Sequence, residues 1–362
     1  MWAGMLHLVF GNFLIGIGEG LLLAWVFKLN KIASVAVMIA ANYVSAWIGL
    51  AWLDHRIARS LELELYNAWR WVWIMAGVSY LMTLVIEWPF VALCFLKKPG
   101  LLRRSILGCL LVQTVSYVAL FGWYWGASGK SLYTKANVVA LSDIDLPQGV
   151  SMYYIGKNDG DVHQLDFDTR TTRRFAQLSS TDLDDRLAIW PCHTNAGPYG
   201  VVARLETADQ KSPAIRDILG DLSAEQVTVK EERDGEPDAT SASFGPVPRL
   251  GSTTNAGWDF ETGFWPVEGI VATDSSNKVQ LHIAFETPFV AWSVRNATQL
   301  PSNQVVFQLG EDQVCILEPA TRKVARLVFG RGPVLVLKRA RSPVAHPVVS
   351  QRPSQPAASG SP

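Results

Sequence analysis

The chain has 362 residues, 49% hydrophobic and 18% charged, with 32 basic and 32 acidic side chains. That apolar content excludes a disordered protein, and a pI near 7.0 excludes a nucleic-acid binder held by bulk basic charge. The averages conceal a split: residues 1–126 carry nine Lys/Arg and five Asp/Glu, and residues 127–362 carry the other 23 and 27. The first third has the composition of membrane helices, and the remainder that of soluble protein.

Four apolar stretches, 5–27, 32–53, 71–96 and 105–126, run 22 to 26 residues each. Roughly 20 helical residues, rising 1.5 Å apiece, cross about 30 Å of hydrocarbon. The first stretch lacks a basic n-region and carries Glu19 within its apolar run, so it reads as a retained helix and not as a cleaved signal peptide. Residues 1–126 are therefore predicted to form a four-helix transmembrane bundle in a plasma or inner membrane. The turns at 27–31 and 97–104 hold Lys28, Lys31, Lys97, Lys98, Arg103 and Arg104 and no acid. The weighting of the positive-inside rule toward short loops puts these turns in the cytoplasm and both termini outside.

Each predicted helix carries one polar stripe. Asn12, Gly16, Glu19 and Gly20 share a face of the first, and its Gly16/Gly20 pair permits close helix approach. Asn42, Ser45 and Gly49 mark the second, Ser79, Thr83 and Glu87 the third, and Cys109, Gln113, Ser116 and Tyr117 the fourth. Counted from the predicted cytoplasmic ends, Glu19 and Glu87 lie ~12–14 Å deep, with Gln113 at ~12 Å and Asn42 at ~15 Å. Two apposed carboxyls in low dielectric, with no intramembrane Lys or Arg, resist joint ionisation and imply a retained or shared proton. The layer Glu19, Glu87, Asn42, Gln113 and Asn12 is the candidate intramembrane polar site. It reads either as a proton, cation or quinone-sized site or as interhelical hydrogen bonds that hold the bundle together.

After a linker at 127–149, residues 150–338 change to short strand-like runs broken by Gly, Asn, Asp and Pro, an all-β pattern. Met152-Tyr153-Tyr154-Ile155, the turn Asn158-Asp159-Gly160-Asp161 and Val162-His163-Gln164-Leu165-Asp166 make a hairpin. Val162, Leu165, Asp166, Thr169 and Arg170 recur as Val314, Leu317, Glu318, Thr321 and Arg322, 152 residues later. A fainter copy matches Gly200, Val202, Leu205 and Glu206, and Val279 opens a further candidate run. These repeats resemble β-propeller blades of the WD40 and quinoprotein kind, which implies a propeller-like domain whose first and last repeats meet; a β-sandwich is the alternative. Ile215, Ile218, Leu219 and Leu222 have helical spacing after Ser212-Pro213 and predict a short helix over 213–226. It lies within a polar insertion near 207–256, and 339–362 is a Pro/Ser/Ala-rich tail predicted to be disordered.

No Cys-x-x-Cys, His-Glu-x-x-His, P-loop or Gly-x-Ser-x-Gly pattern occurs, so the sequence supports no catalytic residue, metal or cofactor. Cys192 and Cys315 are a candidate disulfide in an oxidising compartment. Asp166/Asp168 and Asp184/Asp185 read as turn residues, and Asn296-Ala297-Thr298 matches a glycosylation sequon. The leading expectation is a membrane-anchored extracytoplasmic binding or assembly subunit. Its β domain would meet another membrane or extracytoplasmic protein and membrane lipid, and no nucleic acid. The alternative is a small transporter, or a component of one, using the carboxylate pair. In intact cells an impermeant thiol reagent should label Lys130→Cys and spare Lys98→Cys; the reverse pattern inverts the topology.

Overall fold

A computed structural model describes residues 7–49, 51, 63–127, 136–191, 198–206, 214–228, 245–251, 257–264, 267–276, 280–285 and 292–339. A π-helical turn, His7–Gly11, leads into α1 (Asn12–Phe27), followed by α2 (Lys31–Gly49), α3 (Ala68–Cys94) and α4 (Leu101–Ala127). All four helices are long and apolar enough to cross a membrane. Trp25, Val85 and Val118 are 77, 73 and 69% exposed, so the bundle presents an apolar exterior suited to lipid. Asn30 Oδ1 accepts the Ala33 amide at 3.0 Å and caps α2, while Lys28 adopts φ 52 to end α1.

The Gly16/Gly20 pair does what its spacing predicts. A Cβ on Gly16 would sit 2.7 Å from Ile39 Cα, and one on Gly20 would sit 2.4 Å from Val35 Cα. Only hydrogen fits there, and the α1 and α2 backbones pack directly.

The β domain contains β1 (Asn137–Val138), β2 (Val150–Gly156), β3 (Val162–Asp166), β4 (Thr171–Ala176), β5 (Arg186–Pro191), β6 (Tyr199–Leu205), β7 (Ala214–Leu222), β8 (Gly245–Pro246), β9 (Trp258–Phe264), β10 (Val267–Asp274), β11 (Gln280–Ala284), β12 (Val294–Gln299), β13 (Val305–Leu309), β14 (Gln313–Glu318) and β15 (Lys323–Leu337). They form an eight-stranded sheet ordered β12-β13-β14-β15-β2-β3-β4, with β1 also paired to β15, a four-stranded sheet β11-β10-β9-β8 and a three-stranded sheet β5-β6-β7. Pairing is antiparallel apart from β1 on β15. The long β15 pairs with β14 through Lys323–Phe329 and with β2 through Gly330–Leu337. The first and last repeats are therefore neighbours, and their matched Arg170 and Arg322 share left-handed φ values of 55 and 57.

Alternation along β13 and β14 sends Phe307, Cys315 and Leu317 to a core shared with β9–β11, and Val306, Val314 and Ile316 to a core shared with β2 and β3. A third core joins Tyr153, Ile155 and Val162 to Leu187, Val201 and Ala203 of the three-stranded sheet.

Several expectations change. The predicted helix at 213–226 is strand β7, paired to β6, with bulges between Tyr199 and Val202. Bulges shift the period-2 phase, so core-facing Ile218, Leu219 and Leu222 mimic helical spacing. The 207–256 segment is not purely a polar insertion, since it supplies β7, β8 and buried Leu222, Val227, Val247 and Leu250. The 127–149 linker likewise contributes β1 and a 3-10 turn, Leu141–Asp143, with Ile144 fully buried. Val279 lies outside the described residues, and the run after it forms β11 at the edge of its sheet. The 339–362 tail is described only at Arg339.

The segment before α3 docks on the β domain. Leu65 and Ala68 are buried in the core that holds Phe307 and Val324. The Leu65 amide donates to Gln313 Oε1 at 2.8 Å, and Arg326 pairs with Glu64 at 2.8 Å. Arg326 also lies over the Tyr66 and Phe329 rings, 5.0 and 3.7 Å from their centroids.

The repeat motif has a structural chemistry. Asp161 accepts the Leu178 and Ser179 amides at 2.8 and 3.0 Å and closes the end of β4. Asp166 Oδ1 caps the Asp168 and Thr169 amides, while Lys338 clamps Asp166 and Asp168 at 2.7 and 2.6 Å. The Leu178 amide holds the Asp161 carboxyl below the ordinary value of 3.8, and Lys338 does the same for Asp166 and Asp168. Carboxyls depressed in the folded state stabilise it above the unfolded value, and that stability is lost as pH falls through the folded values. Thermal unfolding of the detergent-solubilised protein should therefore shift downward below about pH 4, and Asp161→Asn should lower stability at pH 7 while flattening that dependence.

Candidate functional site

The four stripes converge. Asn12, Glu19, Asn42, Ser45, Ser79, Thr83, Glu87, Gln113, Ser116 and Tyr117 line one cavity of about 300 Å³ in the bundle, with no Lys or Arg among the described residues of its wall. Glu87 is fully buried, Glu19 is 3% exposed, and neither faces lipid. This follows from the cost of a carboxyl against hydrocarbon: each helix turns its polar side inward, and the four polar sides meet along one partly open cavity.

Every helix contributes to one set of hydrogen bonds. Asn42 Nδ2 on α2 donates to Glu19 Oε2 on α1 at 2.6 Å and to the Met38 carbonyl at 3.0 Å. Ser45 Oγ, one turn further along α2, donates to Glu87 Oε1 on α3 at 2.5 Å. Gln113 Nε2 on α4 donates to Glu87 Oε2 at 2.5 Å. Both carboxyls therefore accept from a primary amide. Glu19 Oε1 is buried with no donor in hydrogen-bonding geometry, while Ser116 lines the cavity. Thr83 and Tyr117 hydroxyls, 3.2 Å apart, continue the polar wall between α3 and α4.

A second, largely apolar cleft of about 520 Å³ adjoins the first between α1 and α4. Its lining includes Ile15, Leu22, Val115 and Leu120, and it shares Glu19 and Ser116 with the polar cavity. Glu19 thus stands where a polar chamber meets an apolar one.

Not every stripe residue joins the site. Gly16 and Gly20 face the α2 backbone, and Cys109 packs in the apolar core with Leu23, Met38 and Phe95, its thiol directed to the Leu84 carbonyl at 3.7 Å. In the β domain Cys315 is a buried free thiol, and Cys192 lies outside the described residues. No cluster of three or more His, Cys, Asp or Glu suited to a metal occurs among the described residues. His163 is engaged with Asp159 at 2.8 Å and stacks on Tyr154. Asn296 of the sequon donates to Gln308 Oε1 at 3.1 Å. Sequence reasoning passed over the docking residues Glu64, Leu65 and Tyr66, and also three arginines, Arg186, Arg295 and Arg331, that the packing of two sheets brings near one another from distant positions. Nothing in their local sequence marks them.

Comparison with known proteins returns no matching family model and no matching curated relative.

Glu87→Leu would strip Ser45 Oγ and Gln113 Nε2 of their shared acceptor and should destabilise the bundle by about 1–3 kcal/mol. Glu87→Gln keeps an acceptor and the shape, and should cost less than about 1 kcal/mol. Denaturant unfolding in mild detergent distinguishes the two variants.

Proposed function

We propose that the chain is a membrane transport component in which Glu19 and Glu87 carry a proton or small cation through the bundle. The observation that carries this reading is the placement of both carboxyls on one cavity without a basic residue among the described residues of its wall. Structural glue alone requires no void, whereas a carboxylate-lined chamber gives a cation oxygen ligands and a proton a relay of hydroxyls and amides. In this reading both termini and the β domain are extracytoplasmic, on the side reached by the 63–68 segment.

A second reading, a membrane-anchored binding or assembly subunit, is favoured by the docking of the β domain on the segment before α3 through Leu65, Glu64 and Arg326. Such an attachment presents the domain at a set height and orientation to a membrane or extracytoplasmic partner. The pairing of β15 with both the first and last repeats supports a propeller-type arrangement of the meanders, which would expose loops for that purpose.

Proteoliposomes containing the full chain and a pH-sensitive dye test the transport reading. Proton or alkali-cation flux should fall at least tenfold in Glu19→Gln and in Glu87→Gln while the helical circular dichroism is retained. Absence of flux in the wild type, or undiminished flux in both variants, overturns it.

A further inference from the structure

We propose that Arg186, Arg295 and Arg331 form a binding site in the β domain for a phosphate-class oxyanion, a site independent of the intramembrane carboxyls. The three guanidiniums come from β5, β12 and β15, strands belonging to two sheets. Their backbones are held together tightly. Gly332 has φ +57, and a Cβ there would meet Leu187 N at 2.8 Å and Arg186 Cα at 2.9 Å. The Gly332 amide donates to Gln308 Oε1 at 2.8 Å, and Asn296 Nδ2 donates to the same oxygen at 3.1 Å. Fully buried Gln308 thereby ties the residue after Arg295 to the residue after Arg331.

Arg186 and Arg331 are each 4% exposed. Arg186 Nη1, Arg331 Nε and Arg295 Nε are buried without a hydrogen-bond partner. Nearby acids are exposed or already engaged. Arg186 reaches Asp184 at 3.3 Å, but that carboxylate is 71% exposed. Arg331 donates to Ser180 Oγ at 2.6 Å, and Ser180 in turn donates to Asp185. Asp185, the acid that acts most on Arg331, also accepts the Glu206 amide at 2.7 Å; Asp182, next, is exposed, and Asp312, last, pairs with Lys157 at 2.7 Å. Arg295 enters no salt bridge among the described residues. Burial, and then the guanidinium of Arg295, hold Arg186 below the ordinary guanidinium range. Buried like charges repel, and their retention is accounted for by an anion that joins them.

The number and arrangement of donors select the ligand class. One guanidinium fork satisfies a planar carboxylate, whereas three guanidiniums close enough to act on one another suit a tetrahedral oxyanion that carries up to two charges. Arg295 is only half-buried and provides the entrance. The phosphate group could be soluble, as inorganic phosphate or a monoester, or could be a lipid headgroup at the adjacent membrane.

The test uses the full chain in nanodiscs of phosphatidylcholine, with and without phosphatidate, titrated with inorganic phosphate at constant ionic strength set by chloride. Binding is read by calorimetry and thermal unfolding. Saturable phosphate binding, weakened at least tenfold in Arg186→Gln and in Arg295→Gln, supports the site with a soluble ligand. Stabilisation by phosphatidate alone, lost in the same variants, supports it with a headgroup ligand. Without phosphate, Arg295→Gln should unfold at a higher temperature than wild type, because one guanidinium that repels Arg186 is gone; a structural arginine would give the opposite shift. Arg295→Gln also serves if Arg186→Gln fails to fold. Absence of a response to either phosphate source, or an unchanged response in folded Arg295→Gln, overturns the proposal.

Discussion

Strand β15 is the element on which the rest of the β domain depends. Its first half completes the meander β12-β13-β14, and its second half opens the sheet that continues into β2, β3 and β4. One continuous backbone therefore joins the two ends of the domain's sequence. Its side chains do the same at a larger scale: Arg326 holds the segment before α3, Arg331 reaches Ser180, and Lys338, just past its end, clamps Asp166 and Asp168. A register slip of one residue would turn each of these groups to the opposite face, so the pairing that closes the domain also specifies its attachment and its arginine cluster.

The bundle obeys a different solvent. In hydrocarbon no water satisfies a polar group, so the polar residues of four helices must satisfy one another. They do so across helix boundaries: Asn42 to Glu19, Ser45 to Glu87, and Gln113 to Glu87. The glycine contacts between α1 and α2 bring those helices close, while an apolar cleft separates α1 from α4 beside Glu19. The polar chamber is thus tight on one side and adjoined by open apolar space on another.

Charge is partitioned between the two regions in opposite senses. The cavity holds two acids and no base among the described residues of its wall, whereas β5, β12 and β15 carry three guanidiniums with unpartnered nitrogens. Both arrangements put ionisable groups where burial is costly. The regions are physically continuous, because Arg326 and Glu64 join the domain to the chain that leads into α3, the helix bearing Glu87.

The sequence by itself determined four helices long and apolar enough to span a membrane and the polar stripe on each, because the cost of polarity in hydrocarbon is so large that local periodicity must report it. It also revealed the hairpin repeat, since Asp-Gly turns and alternation are local signals. Tertiary structure decided what local signals cannot carry. Strand β7 was legible only as a helix, because bulges disguised its alternation. The roles of Leu65 and Glu64 depend on contacts with residues about 250 positions away, and Arg186, Arg295 and Arg331 lie on strands of two sheets that only tertiary packing brings together. Pairing between distant strands is set by the sum of many weak core contacts, and no single stretch of sequence contains that sum.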